Sequence, residues 1–462
     1  MILLAACGSS SSAAVSGDGG VSDSNVIMAP PNCDLTKGLK DSPACIDESV
    51  AVFVSPTGDD GATGKKSAPV KSITKGIELA AANKRPRVYV CEGTYDANVE
   101  VKAPVAIFGG LTCAWAPSDA ARPKLAPPKG IALRVTNVNG AVDLQDLDVV
   151  GSADAKTPGD SAIAAFLSAS KPVTFRNATL VAGDGTAASP AAGASNYSAA
   201  AKDGVGSPSG ATAVTCACLD GTTSSVGGKG GPIGAGGDPG SSTPAVGAFN
   251  AGLGGGACTT GTSGANGLAN AAGQGAARAG SLTADGWNSA GDGTGGATGN
   301  PGQGGGGGGG KTAIGGGGGG ACGGCGGAGG KPGAAGGSSF ALLSFQSTVA
   351  VEAGALKTSG GGKGGAGGKG QDGQGGGAPG VGVCDGGPGG AGAAGSGGGG
   401  GAGGHSAPIA FVGTEPRVSG ATIAPGSKGG SGAGGQPGAG PGSVGTAGGS
   451  GAEGKAQNTL AL

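Results

Sequence analysis

FALLSFQSTVAVEAGAL, residues 340–356, is an apolar island in a glycine sea. GGAGGKPGAAGGSS precedes it and KTSGGGKGGAGGKG follows it. Three other segments align with it without a gap: LRVTNVNGAVDLQDLDV (133–149), AAFLSASKPVTFRNATL (164–180) and APIAFVGTEPRVSGATI (407–423). The third column holds Val135, Phe166, Leu342 and Ile409. The twelfth holds Leu144, Phe175, Val351 and Val418, and the last holds Val149, Leu180, Leu356 and Ile423. Each unit reads as three short strands with one apolar side. Such a unit cannot bury that side alone, so the four must stack as layers of a solenoid.

Between the layers lie inserts of very unequal length. Their glycines keep a period of three. Gly361 to Gly376 forms one series, Gly386 to Gly404 another, and Gly324 to Gly336 a third. Gly426 to Gly438 repeats the pattern, which resumes one residue out of phase from Gly442 to Gly454. Three residues per turn is the period of polyproline II, and glycine along one edge lets such tracts approach backbone to backbone. A flexible linker needs no such phase. The reading is a bundle of polyproline-II tracts, similar to that of certain glycine-rich antifreeze proteins. Disordered tracts are the alternative. All inserts should leave and re-enter at one corner of the coil, side by side.

Composition narrows the function. Glycine supplies 115 of 462 residues, aromatics are 3% and charged residues 12%. The formal net charge of −1 offers no field for nucleic acid or an anionic membrane surface. No apolar run is long enough to span a bilayer. With 27 prolines the chain is too proline-poor for a collagen triple helix.

Eleven cysteines carry the next argument. Leu4-Ala5-Ala6-Cys7 reads as a lipobox, whose cysteine is lipidated after cleavage, and a Ser/Gly/Asp tether runs to about residue 25. Only six residues precede Cys7, so the basic and apolar parts of a signal peptide are expected further upstream. Lipidation at Cys7 leaves ten cysteines in an oxidising compartment. Cys33 and Cys45 read as a local disulfide. Cys216, Cys218, Cys258, Cys322, Cys325 and Cys384 read as three disulfides stapling the far end of a bundle that lacks a core, with their pairing open. Cys216-x-Cys218 and Cys322-x-x-Cys325 also have zinc-ligand spacing, but export favours disulfides. No metal and no cofactor is implied.

Towards the N-terminus, Val52-Phe53-Val54-Ser55-Pro56-Thr57-Gly58 precedes a helix over 72–83. Ile73, Ile77 and Ala80 share one face of it, Leu79 lies at the edge, Ser72 is the N-cap, and Pro86 ends it. Val88-Tyr89-Val90 follows as a strand and Cys91-Glu92-Gly93-Thr94-Tyr95 as a turn. This order resembles the start of pectin-lyase-like right-handed parallel β-helix domains over about residues 51–185. The resemblance implies an all-β solenoid with an N-terminal capping helix, on which the glycine-rich inserts are mounted. One coil of that superfamily is close to the 22-residue separation of Cys91 and Cys113. Stacked strands about 4.8 Å apart lie within disulfide reach, so that pair is expected to bond.

The expected organisation is a leader remnant and tether over 1–25, the coil with its cap over 26–185, and a glycine-rich insert over 186–337. A layer over 338–360, an insert over 361–404, a layer over 405–425 and a glycine-rich tract over 426–462 complete it. Enzymes of the resembled superfamily carry acids or a basic residue on the outward face of one sheet. Here the outward columns read Asp143, Thr174, Ala350, Arg417 and Gln145, Arg176, Glu352, Ser419. No two carboxylates stack on neighbouring layers, so no glycosidase pair is visible. Arg176 is the one candidate lyase base, with surface hydrogen bonding the favoured role. His405, the single histidine, reads as a turn residue leading into the last layer. Trp115, Trp287 and Tyr197 share no inferable face. No catalytic residue is assigned.

The expectation is a lipid-anchored structural or adhesive protein of the bacterial envelope, at the outer membrane or cell surface. It would meet extracellular polysaccharide or another surface protein, and the membrane only through its lipid. A polysaccharide lyase or glycoside hydrolase is the alternative.

Overall fold

The computed structural model describes residues 29–246, 254 and 256–462. The lipobox, Cys7 and most of the tether lie outside the described residues. The chain begins with β1 (Ala51–Val54), α1 (Ile73–Ala82), β2 (Arg87–Cys91), β3 (Gly93–Tyr95) and β4 (Val99–Val101). Then come β5 (Val105–Leu111), β6 (Pro123–Leu125), β7 (Leu133–Thr136), β8 (Asn139–Gln145), β9 (Asp148–Gly151), β10 (Ala162–Ser168) and β11 (Lys171–Ala182). The short strands β12 (Val214–Ala217), β13 (Ser224–Gly227) and β14 (Ser241–Thr243) form one small antiparallel sheet, and β15 (Ser281–Thr283) pairs with β16 (Gly286–Asn288). β17 (Ser339–Phe345), β18 (Val349–Thr358), β19 (Ser406–Val412), β20 (Arg417–Ala424) and β21 (Thr459–Ala461) close the list.

Two large sheets, parallel throughout, hold the coil together. One runs β4-β7-β10-β17-β19-β21. The other is curled around a corner. β11 pairs with β8 through its first half and β9 through its second, then with β18, which pairs with β20. The chain visits the faces in fixed order, and successive visits stack in register. Phe175 sits between Leu144 and Val351, and Leu180 between Val149 and Leu356. These side chains form the main apolar core. α1 covers the first layers. Ser72 accepts a hydrogen bond from the Lys75 N–H, and the Asp60 carboxylate accepts from the N–H groups of Lys71 and Ser72. Ile73, Ile77 and Ala80 are buried, with Gly76 where a Cβ would strike Val54.

Two sequence expectations need correction. The first is the third column, Val135 and Phe166. The column that stacks is Leu133, Ala165, Leu342 and Ile409; Val135 pairs with Leu167 instead, and Phe166 points outward into a second cluster with Phe340 and Leu343. A gapless alignment assumes corners of equal length. The corner instead shortens, from Leu133–Val142 to Ala165–Val173 to Leu342–Val349, so register is lost before the corner and regained after it. The second is Cys91–Tyr95. Its end is a strand, β3, paired with β6, because Gly93 at φ 133° makes the corner and frees Thr94 and Tyr95 to extend. Other corners hold left-handed residues in columns. Asp146, Asn177, Ala353 and Gly420 have φ of 55°, 46°, 62° and 67°.

The inserts leave after β11, β18 and β20 and return into β17, β19 and β21, all at one corner. They are ordered, and their hydrogen bonds repeat every third residue. Residues 386–404 are buried along nearly their whole length and have six neighbouring tracts among the described residues. Their N–H groups donate to three of these: Gly390, Ala393 and Ser396 to Gln303, Asn300 and Ala297; Gly392, Gly395 and Gly398 to Gln374, Gln371 and Gly368; Ala394, Gly397 and Gly400 to Ser443, Thr446 and Gly449. Their carbonyls accept from the other three: from Gly264 and Gly267, from Gly324, Gly327 and Gly330, and from Gly432, Gly435 and Gly438. A turn of three residues has three donors and three acceptors, so six neighbours satisfy it. The glycine series read in the sequence is the edge of closest approach. A Cβ at Gly389, Gly395 or Gly401 would overlap the carbonyl oxygen of Cys322, Ala328 or Ala334.

Among the described residues, five disulfides staple the molecule. Cys33–Cys45 closes the N-terminal arm, and Cys91–Cys113, with Cα atoms 4.9 Å apart, links the early layers. In the bundle the pairs are Cys216–Cys322, Cys218–Cys325 and Cys258–Cys384.

Candidate functional site

Two places gather side chains that could do chemistry or binding. The first is the outward face of the curled sheet. Asp143, Thr174, Ala350 and Arg417 stack there, as do Gln145, Arg176, Glu352 and Ser419. Parallel pairing forces these columns, because alternate residues of a strand face opposite sides. Asp143 and Glu352 flank Arg176 from the layers on either side. Arg176 donates from Nε to Asp143 Oδ1 at 3.3 Å, and its Nη1 is paired with Glu352. The guanidinium is thus held by a carboxylate from each side and is engaged in surface hydrogen bonds. Neither acid is left free to pair with another.

The N-terminal arm rises beside this face. Arg87 is buried, donates to the carbonyls of Leu35 and Lys37, and lies over the Phe108 ring. Tyr89 donates to the Cys45 carbonyl. The arm thus walls a cleft of about 410 Å³ whose lining includes Lys37, Asp41, Phe108, Asp143, Gln145 and Arg176. Beyond it, Arg122 binds Asp148 at 2.8 Å, and Asn177 donates to Asp146. Asp146 and Asp148 are therefore engaged in fixing a corner.

The second place is the far end of the bundle. Val205, Ile314, Val381 and Val383 are exposed, Val381 by 73%. Ile314, Val381 and Val383 lie at turns between tracts and line a shallow cleft with Pro208 and Gly316, while Val205 lies on a tract next to Gly206 of the cleft wall. Their exposure follows from the tract geometry. The turns have no layer beyond them to bury an apolar side chain.

The three aromatic residues singled out above lie apart. Trp115 packs edge-on against Phe53, Trp287 against Phe340, and Tyr197 donates to the Gly326 carbonyl. His405 is more than a turn residue. It is 6% exposed, its Nδ1 accepts the Lys455 N–H at 2.9 Å, and its ring meets Trp287 at 6.0 Å. Burial first, and the charge of Lys455 second, hold its pKa down at about 4. Sequence reasoning missed this because Trp287 comes from a different insert. Among the described residues no cluster of three or more metal-ligating side chains occurs, and all ten described cysteines are in disulfides.

No helix among the described residues is long and apolar enough to cross a membrane. Disulfides in this number fit an oxidising, extracytoplasmic compartment. A family model described as a protein of unknown function (DUF1565) matches residues 56–113, the segment from the β1 exit through α1 to Cys113. That family is associated with parallel β-helix proteins, in agreement with the curled parallel sheet. No curated protein and no solved structure matches the chain.

Proposed function

We propose that this chain is a surface protein of the bacterial envelope: a right-handed parallel β-helix of the pectin-lyase-like kind carrying a rigid bundle of polyproline-II tracts. In this reading Cys7 carries the lipid that holds it to the membrane, and the bundle is a projection that meets extracellular polysaccharide or another surface protein. The observation that carries the reading is the buried tract 386–404, hydrogen-bonded on six sides, with exposed Val205, Ile314, Val381 and Val383 at the far end. At ~3.1 Å per residue, the tract 316–337 alone would hold that end roughly 65 Å from the coil. Flexible glycine could not hold anything at a fixed reach.

The test is adhesion of the purified protein to isolated envelope polysaccharide and to whole cells. Replacing Val205, Ile314, Val381 and Val383 by serine should abolish binding while leaving the fold intact. Unchanged binding by that variant would remove the tip from the proposal. Mass spectrometry of the native N-terminus tests the lipid on Cys7.

The cleft beside Asp143, Arg176 and Glu352 favours one second reading, a polysaccharide lyase or glycoside hydrolase acting from the outer sheet face. Release of unsaturated uronates or reducing ends by the wild-type chain, and not by Arg176→Ala, would replace the first reading with this one.

A further inference from the structure

A cavity of about 470 Å³ opens where the last strands of the coil meet the base of the bundle. It shares no lining residue with either cleft described above. Its walls include Leu282, Val412 and Leu460, which belong to or pack against the outer apolar cluster around Phe166, Phe340 and Leu343. Arg278 and Lys455 stand at its rim, both exposed. Neither side chain pairs with a carboxylate among the described residues; Glu453, the acid beside them, is paired with Lys428. The cavity therefore combines an apolar wall, two unpaired cations and one acid, Glu453, that is already paired with Lys428.

The second observation is His405, which lines the same cavity and is more than nine-tenths buried. Its Nδ1 is an acceptor, occupied by the Lys455 N–H. The neutral ring then carries its proton on Nε2, and no group among the described residues accepts that proton. With its pKa held down at about 4, the ring stays a neutral donor near pH 7. Its position is fixed from three sides: its own N–H donates to Ser338 Oγ, its carbonyl accepts from Ser339, and Trp287 packs against the ring. Nε2 is not among the buried side-chain atoms that lack a partner, so its N–H is open to solvent through the cavity and free to be taken by a ligand.

We propose that this cavity binds a small amphipathic carboxylate. The carboxylate accepts from His405 Nε2–H and is balanced by Arg278 and Lys455, while an aliphatic chain lies along Leu282, Val412 and Leu460. A sugar fits less well, because no aromatic face and few hydroxyl partners line the wall.

The single histidine makes the test direct. The full-length protein labelled with ¹⁵N-histidine is titrated with octanoate, and the Nε2 resonance of His405 is followed. A saturable shift is expected at submillimolar octanoate, with octanol binding at least about tenfold more weakly. The double variant Arg278→Gln/Lys455→Gln should weaken octanoate by at least about tenfold, each protein's shift being measured from its own ligand-free spectrum because the Lys455 charge acts on His405. No shift at millimolar octanoate would overturn the proposal. So would equal binding of octanol, or full octanoate affinity in the double variant.

Discussion

Replacing Gly395 by alanine tests the packing of the bundle at its centre. Gly395 is buried in the central tract, donates to Gln371 and accepts from Gly438. An added Cβ would overlap the Ala328 carbonyl oxygen, which is backbone and cannot rotate away. Overpacking of this kind costs ~1–3 kcal/mol. Loosening the two hydrogen bonds adds about 1 kcal/mol each, offset by ~0.4–1 kcal/mol from the stiffer unfolded chain. The net loss is about 2–4 kcal/mol, or roughly 30- to 1,000-fold in the opening equilibrium of the tract. Gly430 is the control. It is exposed, its added Cβ would meet only Lys363 Cγ at 3.9 Å, and its φ is not left-handed, so Gly430→Ala should stabilise by ~0.4–1 kcal/mol. Amide hydrogen exchange read on peptides from 386–404 measures both. Equal protection in the two variants would refute the six-neighbour packing, since flexible or differently packed glycine has no reason to distinguish them.

Three further outcomes follow from the same geometry. The pKa of His405 falls from 6.5 in an unstructured peptide to about 4 in the fold, so the unfolded chain binds the extra proton between these values. Stability is full above about pH 6.5 and declines towards pH 4, by at most about 3 kcal/mol; a denaturation series at pH 7, 5.5 and 4 on wild type and His405→Gln checks this, and the slope should flatten in the variant. Cys258–Cys384 spans 126 residues, so Cys258→Ser/Cys384→Ser should cost up to about 4–5 kcal/mol of bundle stability in the chain-entropy view, seen as lost exchange protection at the far end with the coil unaffected. Arg176→Ala breaks two half-exposed ion pairs and should change stability by less than about 1 kcal/mol, as a urea midpoint will show.

Much of this architecture was legible because backbone geometry imposes periods on side chains. The spacing of Ile73, Ile77 and Ala80 marked the buried face of α1, and Leu144, Phe175, Val351 and Val418 marked one wall of the coil. The series Gly386 to Gly404 marked the edge that faces the tract 319–337, since every member would place a Cβ on a carbonyl there. Illegible features depended on lengths or partners that period cannot encode. Phe166 was misplaced because nothing local signals a shorter corner. The pairing of Cys216 with Cys322 required knowing which tracts are neighbours, and the burial of His405 required Trp287, over a hundred residues away in sequence. At the outer face the column Gln145, Arg176, Glu352 could be read, but not that Arg176 would neutralise the acids on both sides.

The order of the tracts in the bundle repeats the order of the layers in the coil, and this answers how glycine tracts become ordered at all. Residues 183–204, 359–380 and 426–439 leave successive layers and run parallel, with Ala188 donating to Lys363 and Gly364 to Gly430. The returning tracts 318–337, 386–404 and 443–455 form a second parallel row, with Gly327 donating to Ala393 and Ala394 to Ser443. Glycine loses more backbone entropy on ordering than any other residue, and these tracts have few side chains whose burial could compensate. The coil reduces that cost. It holds each tract at one end, in register, at the ~4.8 Å spacing of paired strands. The bundle then needs only to propagate an alignment that the apolar columns of Leu342, Val351 and Leu356 have already set. A charge placed in one of those columns, as in Val351→Asp, should therefore disorder a bundle it never touches, seen as lost amide exchange protection over 386–404; protection that persists there would show that the tracts align without the coil.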